Sequence, residues 1–197
     1  EYIEVRALDV NPFSAVGINA EQMRFLDLFL IYCLLEKSPD LSAEEQAVTE
    51  QNLRKVVTEG RRQNLDLDDN GQPRLMLDWA EQLFADLMPI ADWMDAAHGG
   101  DAYRAVIKEF YLGLLDPNQT YSGKLLSRLI AQQQDSPYHA LALAEQYRKQ
   151  LAAADYQIYS EAEFEQMAEV SLLEQQKIEQ ADDVSFDQYL ERYFADL

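Results

Sequence analysis

Four short stretches constrain the chain more than any others: Asn19-Ala-Glu-Gln22, Ser42-Ala-Glu-Glu45, Ser160-Glu-Ala-Glu163 and Ser185-Phe-Asp-Gln188. Each sets a small polar residue three positions before a Glu or Gln. At that spacing the first side chain accepts from the backbone N–H of the fourth residue, and the fourth side chain reaches back to the N–H of the first. Each stretch therefore predicts the start of a helix. Further starts stand at Asp78-Trp-Ala-Glu81, at Asp101, at Thr120 or Ser122, and at Ser136-Pro137, where proline takes the first helical position. Stops fall at Ser38-Pro39-Asp40, Gly60, Gly99-Gly100 and Asp116-Pro117-Asn118. With only seven Gly and six Pro in 197 residues, turns are few and elements long. The expected fold is mainly α: a helical body of about seven or eight helices preceded by one strand-like segment.

Within that plan, Pro89 predicts a kink or break near Asp86 to Met88. Residues 61–74 read as a polar loop turning at Asn70-Gly71. Apolar residues cover most of the circumference of MRFLDLFLIYCLLE, so that helix is expected to be central, with Cys33 buried in it as a small hydrophobe. Tyr103, Phe110, Tyr111, Tyr147, Tyr156 and Tyr159 recur at broadly helical intervals and are expected in the core.

The opening EYIEVRALDVNPF differs in period. Tyr2, Glu4, Arg6 and Leu8 fall on one face, and Ile3, Val5 and Ala7 on the other, until Asn11-Pro12 breaks the alternation. A lone strand leaves both edges unpaired and is not stable by itself. The rest of the sequence offers no partner of comparable quality. The expectation is a strand separated from its sheet, either loosely ordered or paired with another copy. The resulting division is a terminal strand and turn at 1–13, a helical body at 14–159, and a more charged helical arm at 160–197 packed on the body.

A formal net charge of −20 disfavours a nucleic-acid or anionic-membrane partner. Cys33 is the single cysteine, so no internal disulfide forms. The longest apolar run, FLDLFLIYCLL, carries Asp27 and is too short to span a bilayer. The start is charged and lacks an apolar signal core. A cytoplasmic protein is expected.

Glu4 and Arg6 are the residues best placed for chemistry. Two apart on a strand, their α-carbons lie about 6.5–7 Å apart on one face. A carboxylate there suits a hard cation such as magnesium, and a neighbouring guanidinium suits a phosphate oxygen. Together they fit phosphoryl transfer. From spacing alone, a solvated Glu–Arg ion pair is the simpler reading. His98 and His139 lie far apart and outside any zinc-like cluster, which assigns them capping or surface roles. The arginines Arg61 and Arg62 follow a helix end, where cations are favoured. DLDDNG lacks the spacing of a calcium loop, and no P-loop, G-x-G-x-x-G or G-x-S-x-G is present.

YIEVRALDVNPFSAVGI, then FLDLFLIYCLLEKSP, VVTEGRR, HGGDAY and DPNQTYSGKLL follow one another in an order and spacing that resembles the proteobacterial-type glutamate–cysteine ligases over essentially the whole chain. The resemblance implies the C-terminal portion of an enzyme that uses ATP and magnesium. That enzyme joins the γ-carboxylate of glutamate to the amine of cysteine through a γ-glutamyl phosphate, the first step of glutathione synthesis. It implies that Glu4 is a metal ligand and that Arg6 is catalytic, contacting the transferring ATP phosphate. It implies too that the opening strand was severed from an antiparallel sheet of the parent enzyme. Most metal ligands and the glutamate- and cysteine-binding residues of that family lie in a larger N-terminal part. The chain alone is therefore expected to be inactive and to need that part as partner. Gly-Arg-Arg-Gln-Asn-Leu stands where the family often has G-R-x-P-G-L, and Ser122-Gly123-Lys124 where it often has S-A-R. No role passes to Arg61, Arg62 or Lys124. Two other readings remain on composition and spacing. One is a helical scaffold or regulatory module without chemistry; the other is phosphoryl transfer to a different carboxylate or amine.

Overall fold

The computed structural model describes residues 3–195. Among these, eight α-helices and one small hairpin follow in order: α1 (Ala20–Leu35), α2 (Ala43–Glu59), β1 (Asp66–Asp69), β2 (Gln72–Leu75), α3 (Met76–His98), α4 (Ala102–Leu115), α5 (Tyr121–Gln132), α6 (Ser136–Ala152), α7 (Glu161–Ala181) and α8 (Phe186–Ala195). A short 3-10 turn, Pro117–Gln119, joins α4 to α5. The mainly α expectation holds. The chain divides into two compact units, Glu1–Lys149 and Gln150–Leu197.

In the first unit the core lies where α1, α3 and α4 meet. Leu28, Phe84, Leu87, Ile90, Ala91 and Ile107 are buried together, with Phe25, Tyr32, Tyr103, Phe110 and Tyr111 packed against them. Phe84, Leu87 and Ala91 recur at three and four residues, which puts them on one stripe of α3. The aromatic rings interlock: Phe25 stands 5.1 Å from Phe110 and 5.6 Å from Phe84, centroid to centroid. At such separations tilted rings add to the burial energy.

Helix α1 opens on the expected box, with Asn19 and Gln22 bonding reciprocally. It borders the core instead of running through its centre. Met23, Leu34 and Leu35 are exposed, and so is Cys33, against the expectation of a buried thiol. The reason is geometric: α3 and α4 cover one side of α1, where Leu28, Ile31 and Tyr32 lie, and Cys33, Leu34 and Leu35 fall outside that cover.

Helix α3 runs unbroken through Pro89, where a kink or break was expected. Pro89 cannot donate to the Ala85 carbonyl, but both residues lie on the exposed side, where water can take that carbonyl. Buried Leu87, Ile90 and Ala91 clamp the opposite side on both flanks of the proline.

Residues 66–75, of which 66–74 were expected within a loop, form an antiparallel hairpin pairing Asp66 with Leu75 and Asp69 with Gln72. Asn70 and Gly71 hold φ of 54° and 82°, the left-handed pair that a tight two-residue hairpin turn requires. Asn52 of α2 then binds the outer edge of β1. Its Nδ2 donates to the Asp68 carbonyl at 2.8 Å, and its Oδ1 accepts from the Asp68 N–H at 2.9 Å.

In the second unit, α7 starts on the Ser160–Glu163 capping box. Ser185 and Gln188 bond reciprocally at the start of α8. Tyr156 and Tyr159 set their rings 5.1 and 5.7 Å from Phe164 but stay exposed. They are therefore not core residues: a helical pair of this size has too little apolar surface around them to bury them.

Candidate functional site

Residues 3–11 carry no regular secondary structure, and residues 3–10 are exposed. The strand reading of 2–8 is thus not met among the described residues; Glu1 and Tyr2 lie outside them. The hairpin pairs only with itself, so the opening segment has no strand partner among the described residues.

On this arm Glu4 and Arg6 do come together. Arg6 Nη2 donates to Glu4 Oε2 at 2.8 Å, with the side chains 81% and 49% exposed respectively. The guanidinium spends one of its five N–H donors on this bond, which leaves a fork free for an anion. Among the described residues no three His, Cys, Asp or Glu side chains gather as a metal site. Glu4 supplies a single carboxylate, so the described residues do not by themselves complete a magnesium site.

The arm is anchored at Asn11, which sequence reasoning treated only as a turn. Asn11 is 2% exposed. Its N–H donates to the Gly17 carbonyl at 2.7 Å, its Oδ1 accepts from the Phe13 N–H at 2.9 Å, and its Nδ2 donates to Gln22 Oε1 at 2.7 Å. The same Gln22 oxygen accepts from the Asn19 N–H at 3.2 Å. Asn19 Nδ2 donates to the Tyr121 hydroxyl at 2.8 Å, and the Tyr147 hydroxyl donates to the Pro12 carbonyl, also at 2.8 Å. Burial pushes the Tyr121 hydroxyl up, with the Glu109 and Glu21 charges adding and the Asn19 bond offsetting part. The signal available in the sequence was Asn11-Pro12 beside the Asn19–Gln22 box; that the two join is visible only in three dimensions.

Beside this anchor lies a cleft of about 350 Å³. Leu8 of the arm forms one wall, Phe25, Phe110 and Tyr121 the apolar floor, and Glu109 and Lys124 the charged rim. Lys124 Nζ stands 5.8 Å from the Tyr121 ring centroid, and the Arg128 guanidinium 4.6 Å from that of Phe13. Arg61 donates to Asn118 Oδ1 at 2.8 Å, and Arg62, just past the end of α2, pairs with Glu59, that helix's last residue. Both arginines are thus engaged locally. Gly123, at the departure from S-A-R, brings α5 against the turn before it: a β-carbon there would meet the Pro117 carbonyl and lie 2.6 Å from Asn118 Cα.

The histidines differ from one another. His98 ends α3 with its ring 5.8 Å from Tyr103. His139 was assigned a capping or surface role but is 6% exposed, and its Nε2 has no hydrogen-bond partner among the described residues. Its first-turn position on α6 gave no sign of this burial.

Comparison with known proteins adds the context that one chain cannot. The family model described as Glutamate-cysteine ligase matches residues 1–56, the arm, the anchor and α1 included. A glutamate–cysteine ligase of Pseudoalteromonas translucida is 44% identical over 194 residues, covering 98% of this chain and 37% of the relative. One of Vibrio vulnificus is 42% identical over 197 residues, covering 99% and 37%. The crystal structure of the Francisella tularensis glutamate–cysteine ligase in complex with AMP superposes with a TM-score of 0.85 at 25% identity, covering 98% of this chain and 38% of that one. Sequence and fold together match one segment of these proteins. The chain belongs to the glutamate–cysteine ligase family and spans little more than a third of the length of the relatives it matches.

Proposed function

We propose that this chain works as the C-terminal portion of an ATP-dependent ligase that joins the γ-carboxylate of L-glutamate to the amine of L-cysteine, through a γ-glutamyl phosphate, in the first step of glutathione biosynthesis. The observation that carries the reading is 44% identity sustained over 98% of the chain. The AMP held by the Francisella relative supports use of ATP.

In this reading Arg6 contacts the phosphate being transferred. Its exposed guanidinium makes one bond to Glu4 and keeps donors free for phosphate oxygens. Glu4 is one magnesium ligand of a site completed by residues elsewhere in the ligase, since the described residues bring no further donors to it. The cleft beside Leu8 and the anchor at Asn11 lie at the root of the arm and set where it leaves the helical body. We also assign the protein to the cytoplasm. Its acidic charge supports this, and no helix among the described residues is long and apolar enough to cross a membrane.

The test is direct. The complete protein, incubated with ATP, magnesium, glutamate and cysteine, is expected to yield γ-glutamylcysteine, detected by mass. A folded complete protein that forms none would overturn the reading and bring forward the helical scaffold without chemistry.

A further inference from the structure

We infer that the buried Asn11–Gln22 amide pair, together with the Tyr147 hydroxyl on the Pro12 carbonyl, is a positioning device that fixes the register of the Glu4–Arg6 arm; this rests on the roles proposed above for those two residues. Asn11 and Gln22 are 2% and 8% exposed. Burying two amides is costly unless their polar atoms are paired, and here both amide oxygens and Asn11 Nδ2 are hydrogen-bonded. Gln22 Oε1 takes two N–H bonds, from Asn11 Nδ2 and from the Asn19 backbone, and so ties the arm to the start of α1. Tyr121 from α5 and Tyr147 from α6 complete the clamp on residues 11–19. Three helices thus converge on the point where ordered packing ends and the exposed arm begins.

Register gives the clamp its consequence. Residues 3–11 carry no regular secondary structure in this chain, but their sequence alternates, and where such a segment pairs in a sheet of the complete ligase a slip by one residue sends every side chain to the opposite face. Arg6 lies five residues before Asn11 and Glu4 seven before it, so in an extended, paired segment both fall on the same face counted from the clamp. A slip at Asn11 would turn both away from the site at once. A mere turn-stabilising role for Asn11 predicts a loss of stability but no effect on the arm's chemistry.

The experiment uses the complete ligase and compares wild type with Gln22→Ala, Tyr147→Phe, Gln22→Glu and Glu4→Gln. Hydrogen exchange of residues 3–10 is read beside the kinetics. Gln22→Ala and Tyr147→Phe are expected to speed exchange in residues 3–10 while α3 and α4 keep wild-type protection. Both are expected to lower kcat or raise the KM for ATP by roughly tenfold or more, because small misplacements of reacting groups are expensive. Gln22→Glu keeps the oxygen that both donors use and is expected to restore most of the rate. Wild-type exchange of residues 3–10 in both folded variants would overturn the inference, as would faster exchange with unchanged kinetics. If Gln22→Ala does not fold, Tyr147→Phe, which removes a single hydroxyl, decides alone. Wild-type activity in Glu4→Gln would instead overturn the assigned role of Glu4, and the exchange result separates that failure from failure of the clamp.

Discussion

Asp95 stands in for a cap that the local sequence does not provide. Asp101 precedes α4 but makes no side-chain bond to it. Asp95, 5% exposed on α3, accepts instead from the Tyr103 N–H at 2.9 Å and the Arg104 N–H at 3.1 Å. Arg104 Nε lies 3.4 Å from the same carboxylate. Desolvation pushes the Asp95 carboxyl up, but the two backbone bonds and the Arg104 charge together outweigh it and hold it below the ordinary aspartate range. A carboxyl lowered in the folded state binds its proton less readily than in the unfolded chain. It therefore stabilises the fold above the unfolded value of about 4, and that contribution is lost as pH falls through the lower folded-state value. Asp95→Asn is predicted to lower the melting temperature at pH 7 and to show a smaller further drop between pH 5 and pH 3 than wild type. Thermal melts at several pH values check this; parallel wild-type and variant curves would argue against it.

The helix starts were legible in the sequence because capping is local: Asn19, Ser42, Ser160 and Ser185 each bond within three residues, as the spacing requires. The hairpin was not legible, because β1 is Asp-Leu-Asp-Asp, a poor strand sequence, held by a neighbouring helix. Its partner is Asn52, sixteen residues before Asp68. Asn52→Ala removes two backbone pairings and is predicted to cost about 1–2 kcal/mol. Circular-dichroism melts should show a fall of several degrees, and an unchanged midpoint would mean that the hairpin stands without α2. Helix α3 gives the opposite sign. Pro89 withholds one helical hydrogen bond in a helix that stays continuous through it. Pro89→Ala restores the donor to the Ala85 carbonyl and is predicted to raise the melting temperature, since proline inside a helix is about 3 kcal/mol less favourable than alanine. A lowered midpoint would show that α3 has adapted its packing to the ring. Cys33 and His139 were misread for a related reason: burial depends on which neighbours cover a residue, and periodicity does not report that.

At the scale of the molecule, the helical body reads clearly from sequence and the chemistry does not. Glu4 and Arg6 were identifiable as a pair by spacing, and they are joined at 2.8 Å. Their meaning depends on residues that this chain, spanning 37% of its relatives' length, does not contain. The anchor at Asn11, by contrast, is complete within the chain, which is why the structure reveals it while the sequence shows only Asn-Pro. The central claim is that Glu4 belongs to the metal site of a ligase, and magnesium dependence tests it most directly. Initial rates of γ-glutamylcysteine formation would be measured across a magnesium titration for the complete protein and for Glu4→Gln. Loss of one carboxylate ligand is predicted to cut the saturated rate by roughly tenfold or more and to shift half-saturation to higher magnesium, in line with the weight that each ligand of a charged site carries. Equal rates and an unchanged magnesium requirement in Glu4→Gln would contradict it, leaving Glu4 and Arg6 as a solvated ion pair on the surface of the enzyme.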